Sequence, residues 1–83
     1  MNHAAARKRA MVETHSAGRL HQIPLEFSIE GLKKRYLVRE VESSWIELDN
    51  ESGAENLHFK VLADNGRHFV LIYDEQQDIW EIE

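Results

Sequence analysis

The 83-residue sequence contains no cysteine, a single proline and four glycines. Without cysteine, neither a disulfide nor a thiolate metal ligand can staple the fold, so stability has to come from apolar packing or self-association. A chain this short buries only about 60% of the surface its unfolded form exposes. No apolar run approaches the roughly 20 residues that span a bilayer. The opening stretch MNHAAARKRAMVETHS lacks the apolar centre of a signal peptide. A membrane partner is therefore not expected, and the cytoplasm is the expected compartment, in keeping with the missing cysteine. Gly31, Gly53 and Gly66 stand isolated, so there is no phosphate-cradling loop. No serine sits in a Gly-x-Ser-x-Gly elbow. The expectation is a protein that is not an enzyme and carries no cofactor and no metal.

Charge is distributed unevenly. Residues 1–22 hold Arg7, Lys8, Arg9 and Arg19 against Glu13 alone, a balance of +3, whereas residues 23–83 hold six basic and fourteen acidic residues, a balance of −8. An acidic body repels a phosphate backbone. Nucleic acid could therefore be touched only by the N-terminal segment, through Arg7, Lys8 and Arg9. Residues 1–20 show no apolar face, and Ala4–Thr14, although rich in helix formers, is too short to be a stable helix in water. The expectation is a flexible basic tail over 1–20, disordered or partly helical, followed by a single small domain over 21–83.

From residue 21 onward the period is two. Ile23, Leu25, Phe27 and Ile29 alternate with Pro24, Glu26, Ser28 and Glu30, the pattern of a half-buried strand. Pro24 cannot donate to a ladder and marks a strand start or a sheet edge. The stretch from Tyr36 to Leu48 fits two short strands or one strand bent by a bulge. Asp49–Asn56 is a polar loop. Leu57, Phe59, Val61 and Ala63 alternate up to Asp64-Asn65-Gly66, beyond which Phe69, Leu71 and Tyr73 alternate in turn. Asn-Gly between two such runs is a strong hairpin signal. A three-residue loop with Gly66 left-handed sets Leu57 opposite Tyr73, Phe59 opposite Leu71 and Val61 opposite Phe69, which matches the larger apolar pairs. A turn over Glu75–Asp78 then leads into Ile79-Trp80-Glu81-Ile82. The fold class that follows is all-β: an antiparallel meander of five to six strands, closed as a strongly curved sheet or small open barrel.

The chemistry-bearing residues are dispersed. Five histidines (His3, His15, His21, His58 and His68) lack the close spacing of a zinc site and read as solvated or hydrogen-bonded. Glu40, Glu42, Glu47, Asp74, Glu75 and Asp78 read as a solvated face. Trp45, Tyr73 and Trp80 are the residues to watch for partner binding, each able to serve as core or as an aromatic platform.

The order IPLEFSIEG, RYLVREVESSW, FKVLADNGRHFVLIYD and a terminal DIWEIE resembles a small bacterial domain family of unknown function. Its members combine R-Y-x-V-x-x-V-x-x-x-W with an aromatic-x-V hairpin and a closing tryptophan. The matching positions are Arg35, Tyr36, Val38, Val41, Trp45, Phe59, Val61, Gly66, Phe69, Leu71, Tyr73, Asp74 and Trp80. That family occurs as a stand-alone protein and with Y-family-polymerase-like proteins of DNA-damage tolerance. The resemblance implies strands rather than helix over residues 35–48. Two functions stand against each other. One is a non-catalytic protein-interaction module, binding another protein or itself. The alternative is a nucleic-acid-associated accessory protein of DNA-damage tolerance that uses its basic N-terminal segment and binds weakly.

Overall fold

The structure is a computed structural model that describes residues 7–17 and 20–83, without the side chains of residues 17 and 20–22. Strands β1 (Lys8–Ala17), β2 (Leu20–Ile29), β3 (Arg35–Leu48), β4 (Glu55–Ala63), β5 (His68–Asp74) and β6 (Ile79–Ile82) follow one another in the chain. Each pairs antiparallel with its neighbour, and β6 returns to β1 to close a six-stranded barrel. Among the described residues there is no helix, and hence none long and apolar enough to cross a membrane.

The expected all-β meander is therefore present, and it is closed rather than open. The closing strand is β1, which occupies residues assigned from sequence to a flexible tail. Its apolar face is small, with Ala10 buried and Val12 packed against the core. Lys8, Arg9 and Ala10 pair with Ile82, Glu81 and Trp80. The charge of this segment hid a strand whose short inward side chains suit a narrow barrel, in which large residues arrive from the opposite wall. Of the expected tail, residues 1–6 and 18–19 lie outside the described residues, as do His3 and the His21 side chain.

Two aromatic groups fill the interior. Phe27 stacks on Tyr36 at 5.2 Å, and Phe69 closes on both at 5.2 and 5.3 Å. Trp80 packs against Tyr73 at 4.7 Å and Phe59 at 5.7 Å. Such pairs add about 0.5–1.5 kcal/mol each beyond area burial. Val61, Ala63 and Leu71 are wholly buried between them. The β4–β5 hairpin has the register expected from sequence: Leu57 faces Tyr73, Phe59 faces Leu71 and Val61 faces Phe69. Gly66 has φ +83°, its N–H donates to the Ala63 carbonyl, and Ala63 N–H donates to the Arg67 carbonyl. Only a residue without Cβ enters that left-handed region freely.

On β2, Phe27 is core and Ile23 and Ile29 are half-buried, but Leu25 is exposed. The ladder to β1 steps from Glu13–Glu26 to Thr14–Pro24, leaving Leu25 as the extra residue of a bulge. That insertion turns Leu25 out of the alternation that assigned it to the core.

Candidate functional site

Strand β3 changes character along its length. Residues Arg35–Leu37 lie between two strands, with Tyr36 opposite Phe27 on β2. Past Leu37 the ladder to β2 ends, and only β4 remains alongside. Two bulges follow, with Arg39 as the extra residue between Val38–Ala63 and Glu40–Leu62, and Glu42 between Val41–Val61 and Ser43–Lys60. One strand bent by bulges, rather than two strands, is thus the observed form. Bulges bend a strand and steepen its twist, and beyond them Ser43–Leu48 has β4 as its sole ladder partner among the described residues.

That separation determines what is exposed. Ile46 is 58% and Leu48 64% exposed, and Trp45 between them and the bulges is 37% exposed. Ile46 lies opposite Leu57 and therefore continues the interior face of the sheet, yet it is exposed where Leu57 is half-buried. The other two aromatics marked from sequence lie elsewhere. Tyr73 and Trp80 are buried and in contact with each other inside the barrel, so of the three only Trp45 offers surface to a partner.

Trp45 is held rather than loose. Its indole N–H donates to Glu47 Oε2 at 2.6 Å, and its ring stacks on His58 at 5.3 Å with 26° between the planes. Underneath, His58 is only 3% exposed, although the strand alternation puts it on the outer wall with Trp45 and Ile72. Its Nδ1 lies 3.4 Å from the Asn56 carbonyl oxygen, and its Nε2 is 3.8 Å from Glu47 Oε2. A carbonyl only accepts, so the first contact is a hydrogen bond when Nδ1 carries the proton. The sequence reading of His58 as a solvated or hydrogen-bonded residue missed its burial. The missing information was the register, since two bulges bring Trp45 opposite His58. One face of the indole covers the imidazole, and Trp45 as a whole remains 37% exposed.

The surroundings are acidic. Between Val38 and Asn56, Glu40, Glu42, Glu47, Asp49, Glu51 and Glu55 stand against Arg39 alone. Glu42 takes up His68 at 3.2 Å. The Asp49 carboxyl is held below the usual carboxylate range, first by the Glu51 backbone N–H and next by the Ser52 hydroxyl. Asp49 N–H donates across the hairpin to Ala54 carbonyl oxygen. Because backbone groups point alternately to the two sides of a strand, the N–H and C=O of Ser44, Ile46 and Leu48 point away from β4.

Elsewhere, the residues marked from sequence are engaged locally. Arg7, just before β1, lies 3.6 Å from Glu81 and 3.7 Å from Glu83, while Lys8 and Arg9 belong to β1 and pair with β6. They form part of the barrel wall, which corrects their placement in a free tail. Asp74 caps the last turn by accepting from the Gln76 and Gln77 N–H groups. Asp78 accepts the Tyr73 hydroxyl at 2.7 Å. That hydrogen bond, with burial, pushes the Tyr73 phenol up to about 12. Among the described residues no three His, Asp or Glu side chains come together as a metal site. An open concavity of about 880 Å³ lies among β1, the β2–β3 turn and the start of β6, lined by Met11, Ser28, Leu32 and Ile79 together with Ala10 and Trp80. Comparison with family models, curated proteins and solved structures finds no match to this chain.

Proposed function

We propose that this domain is a non-catalytic protein-interaction module whose partner docks on the distal half of β3. The supporting observation is the exposure of Trp45, Ile46 and Leu48 as consecutive or near-consecutive apolar residues on a strand that has lost one neighbour. Large apolar side chains grouped in this way mark interaction surfaces more often than isolated ones do. The held indole adds a rigid contact that loses little freedom on binding, because Glu47 and His58 already fix it.

The test is capture of binding proteins by the intact chain, repeated with Trp45→Ala and Leu48→Ser and with Leu37→Ser as the control. Leu37 is also exposed, at 53%, but lies where β2 and β3 are paired. The reading requires capture to be lost with the first two variants and kept with the third. Equal loss in all three, or none in any, would overturn it. Binding of a single-stranded oligonucleotide that falls steeply with salt and disappears when Arg7, Lys8 and Arg9 become alanine would replace it with the nucleic-acid reading.

A further inference from the structure

We infer that the partner segment is an extended strand of alternating basic and apolar residues, which adds to the free edge of β3 at Ser43–Leu48. This inference rests on the reading just given and specifies its chemistry. Three observations converge on it. First, the N–H and C=O groups of Ser44, Ile46 and Leu48 point away from β4, and no described strand pairs with them. An added strand satisfies such a row with main-chain hydrogen bonds. Second, this stretch is only lightly protected. Ser43–Leu48 contains no proline and no lysine, its one charged residue is Glu47, and the bulges at Arg39 and Glu42 end where it begins. Third, the two faces of the edge differ. On the side continuing the interior lie Ile46 and Leu48, both exposed. On the outer side lie Trp45 and Glu47, with Glu40 further along and Asp49, Glu51 and Glu55 around the loop.

An incoming strand with period two therefore meets apolar side chains on one face, and an indole plate with carboxylates on the other. Its apolar residues would pack on Ile46 and Leu48. Its Lys or Arg residues would lie beside Glu47 and the exposed part of the Trp45 indole, where cation–π attraction adds to charge. The same charge disfavours a second copy of this chain as the occupant. Antiparallel pairing of two β3 edges would bring the acidic segments of both protomers, each with Glu40, Glu42 and Glu47, together, with Arg39 as the sole cation between Val38 and Leu48 and Arg35 already paired with Glu26.

The probe is a short end-blocked peptide of alternating lysine and valine, titrated into the isotopically labelled intact chain and followed by amide and indole NMR signals. The expected result is saturable binding with shifts concentrated at Ser44, Ile46, Leu48 and the Trp45 indole, weakening as salt is raised. A glutamate–valine analogue should not bind. Ser44→Pro removes one outward N–H without touching the ladder to β4, and should weaken the peptide roughly tenfold, while Ser44→Ala changes it little. The variant's unshifted β5 and β6 signals establish that it is folded. Shifts centred away from Ser43–Leu48, or equal affinity in Ser44→Pro and Ser44→Ala, would overturn the inference. A concentration-dependent dimer in sedimentation that Ser44→Pro abolishes would also overturn it, by making a second copy the occupant. If the peptide fails while partner capture still depends on Trp45 and Leu48, the edge-pairing inference falls and the interaction-module reading stands. If capture fails as well, both fall.

Discussion

Strand β4 belongs to two hairpins, and its two neighbours treat it differently. Toward β5, every pair from Leu62–His68 to Asn56–Asp74 is in step, with no bulge, and the loop is a tight one closed by Gly66. The inward residues of both strands are buried or, at Leu57 and Phe69, half-buried against the core. Toward β3, two bulges interrupt the ladder, and the last inward residue of β3, Leu48, is among the most exposed apolar side chains described. Both hairpins alternate in sequence, and both end in a polar loop with a left-handed glycine, Gly66 or Gly53. What separates them is the wall across the interior. Phe59 and Val61 meet Trp80 and the Phe27 group, whereas Ile46 and Leu48 extend past the point where β2 has left β3. Alternation makes a face; closure decides whether the face becomes core or contact surface.

The contrast is tested most severely by cutting side chains on either side of it. Leu71→Ala should cost about 2–5 kcal/mol in urea unfolding, because it opens a cavity in a fully enclosed site. Leu48→Ala, a similar change of chemistry, should stay within about 0.5 kcal/mol. Comparable losses would mean that Leu48 is enclosed in solution. Gly66→Ala comes next, at about 1–2 kcal/mol: nothing lies within 4 Å of the added Cβ, so the whole penalty is the left-handed backbone.

On the enclosed side, pH acts through Tyr73. The Tyr73 phenol, raised to about 12 chiefly by its bond to Asp78, keeps its proton in the folded chain while the unfolded chain loses one near 10. Its contribution is complete below pH 10 and fades as pH rises from about 10 to about 12. Tyr73→Phe should flatten that part of a stability profile. The smallest expected change is in hydrogen exchange. The amides of Ser44, Ile46 and Leu48 should exchange through local exposure alone, while those of Val61 and Leu71 require global opening. Equal protection in the two sets would show that the β3 edge is covered in the isolated chain.

These differences mark where the sequence could and could not be read. The β4–β5 hairpin was legible down to its register because Asn65-Gly66 fixes the loop and the loop fixes every pair that follows. The strand character of residues 35–48 was legible too, including a bend. The bulge positions were not, since an extra residue is selected by backbone twist rather than by side-chain type. Leu25 was misplaced for that reason, and the cover that Trp45 gives His58 was not foreseen. Tyr73, Trp80 and Trp45 could not be ranked for exposure, because alternation assigns a residue to a face and does not say what stands opposite. Strand β1 was concealed by its charges. Its role in closure is carried by Ala10 and Val12, and such small side chains carry little hydrophobic signal in a window that includes Arg7, Lys8 and Arg9.

Closure through β1 and β6 also has a topological consequence. Lys8 lies beside Ile82, and Arg7 reaches Glu83, so positions at opposite extremes of the sequence are neighbours in space. A short linker joining them would lengthen a connection that the ladder already makes, and the loop at 50–53 then becomes a natural place to open the ring. In such a circular permutant β3 and β4 would no longer be consecutive, yet each would keep its other neighbour. The strand proposed to receive a partner would become a chain terminus, free of the loop that now holds its far end.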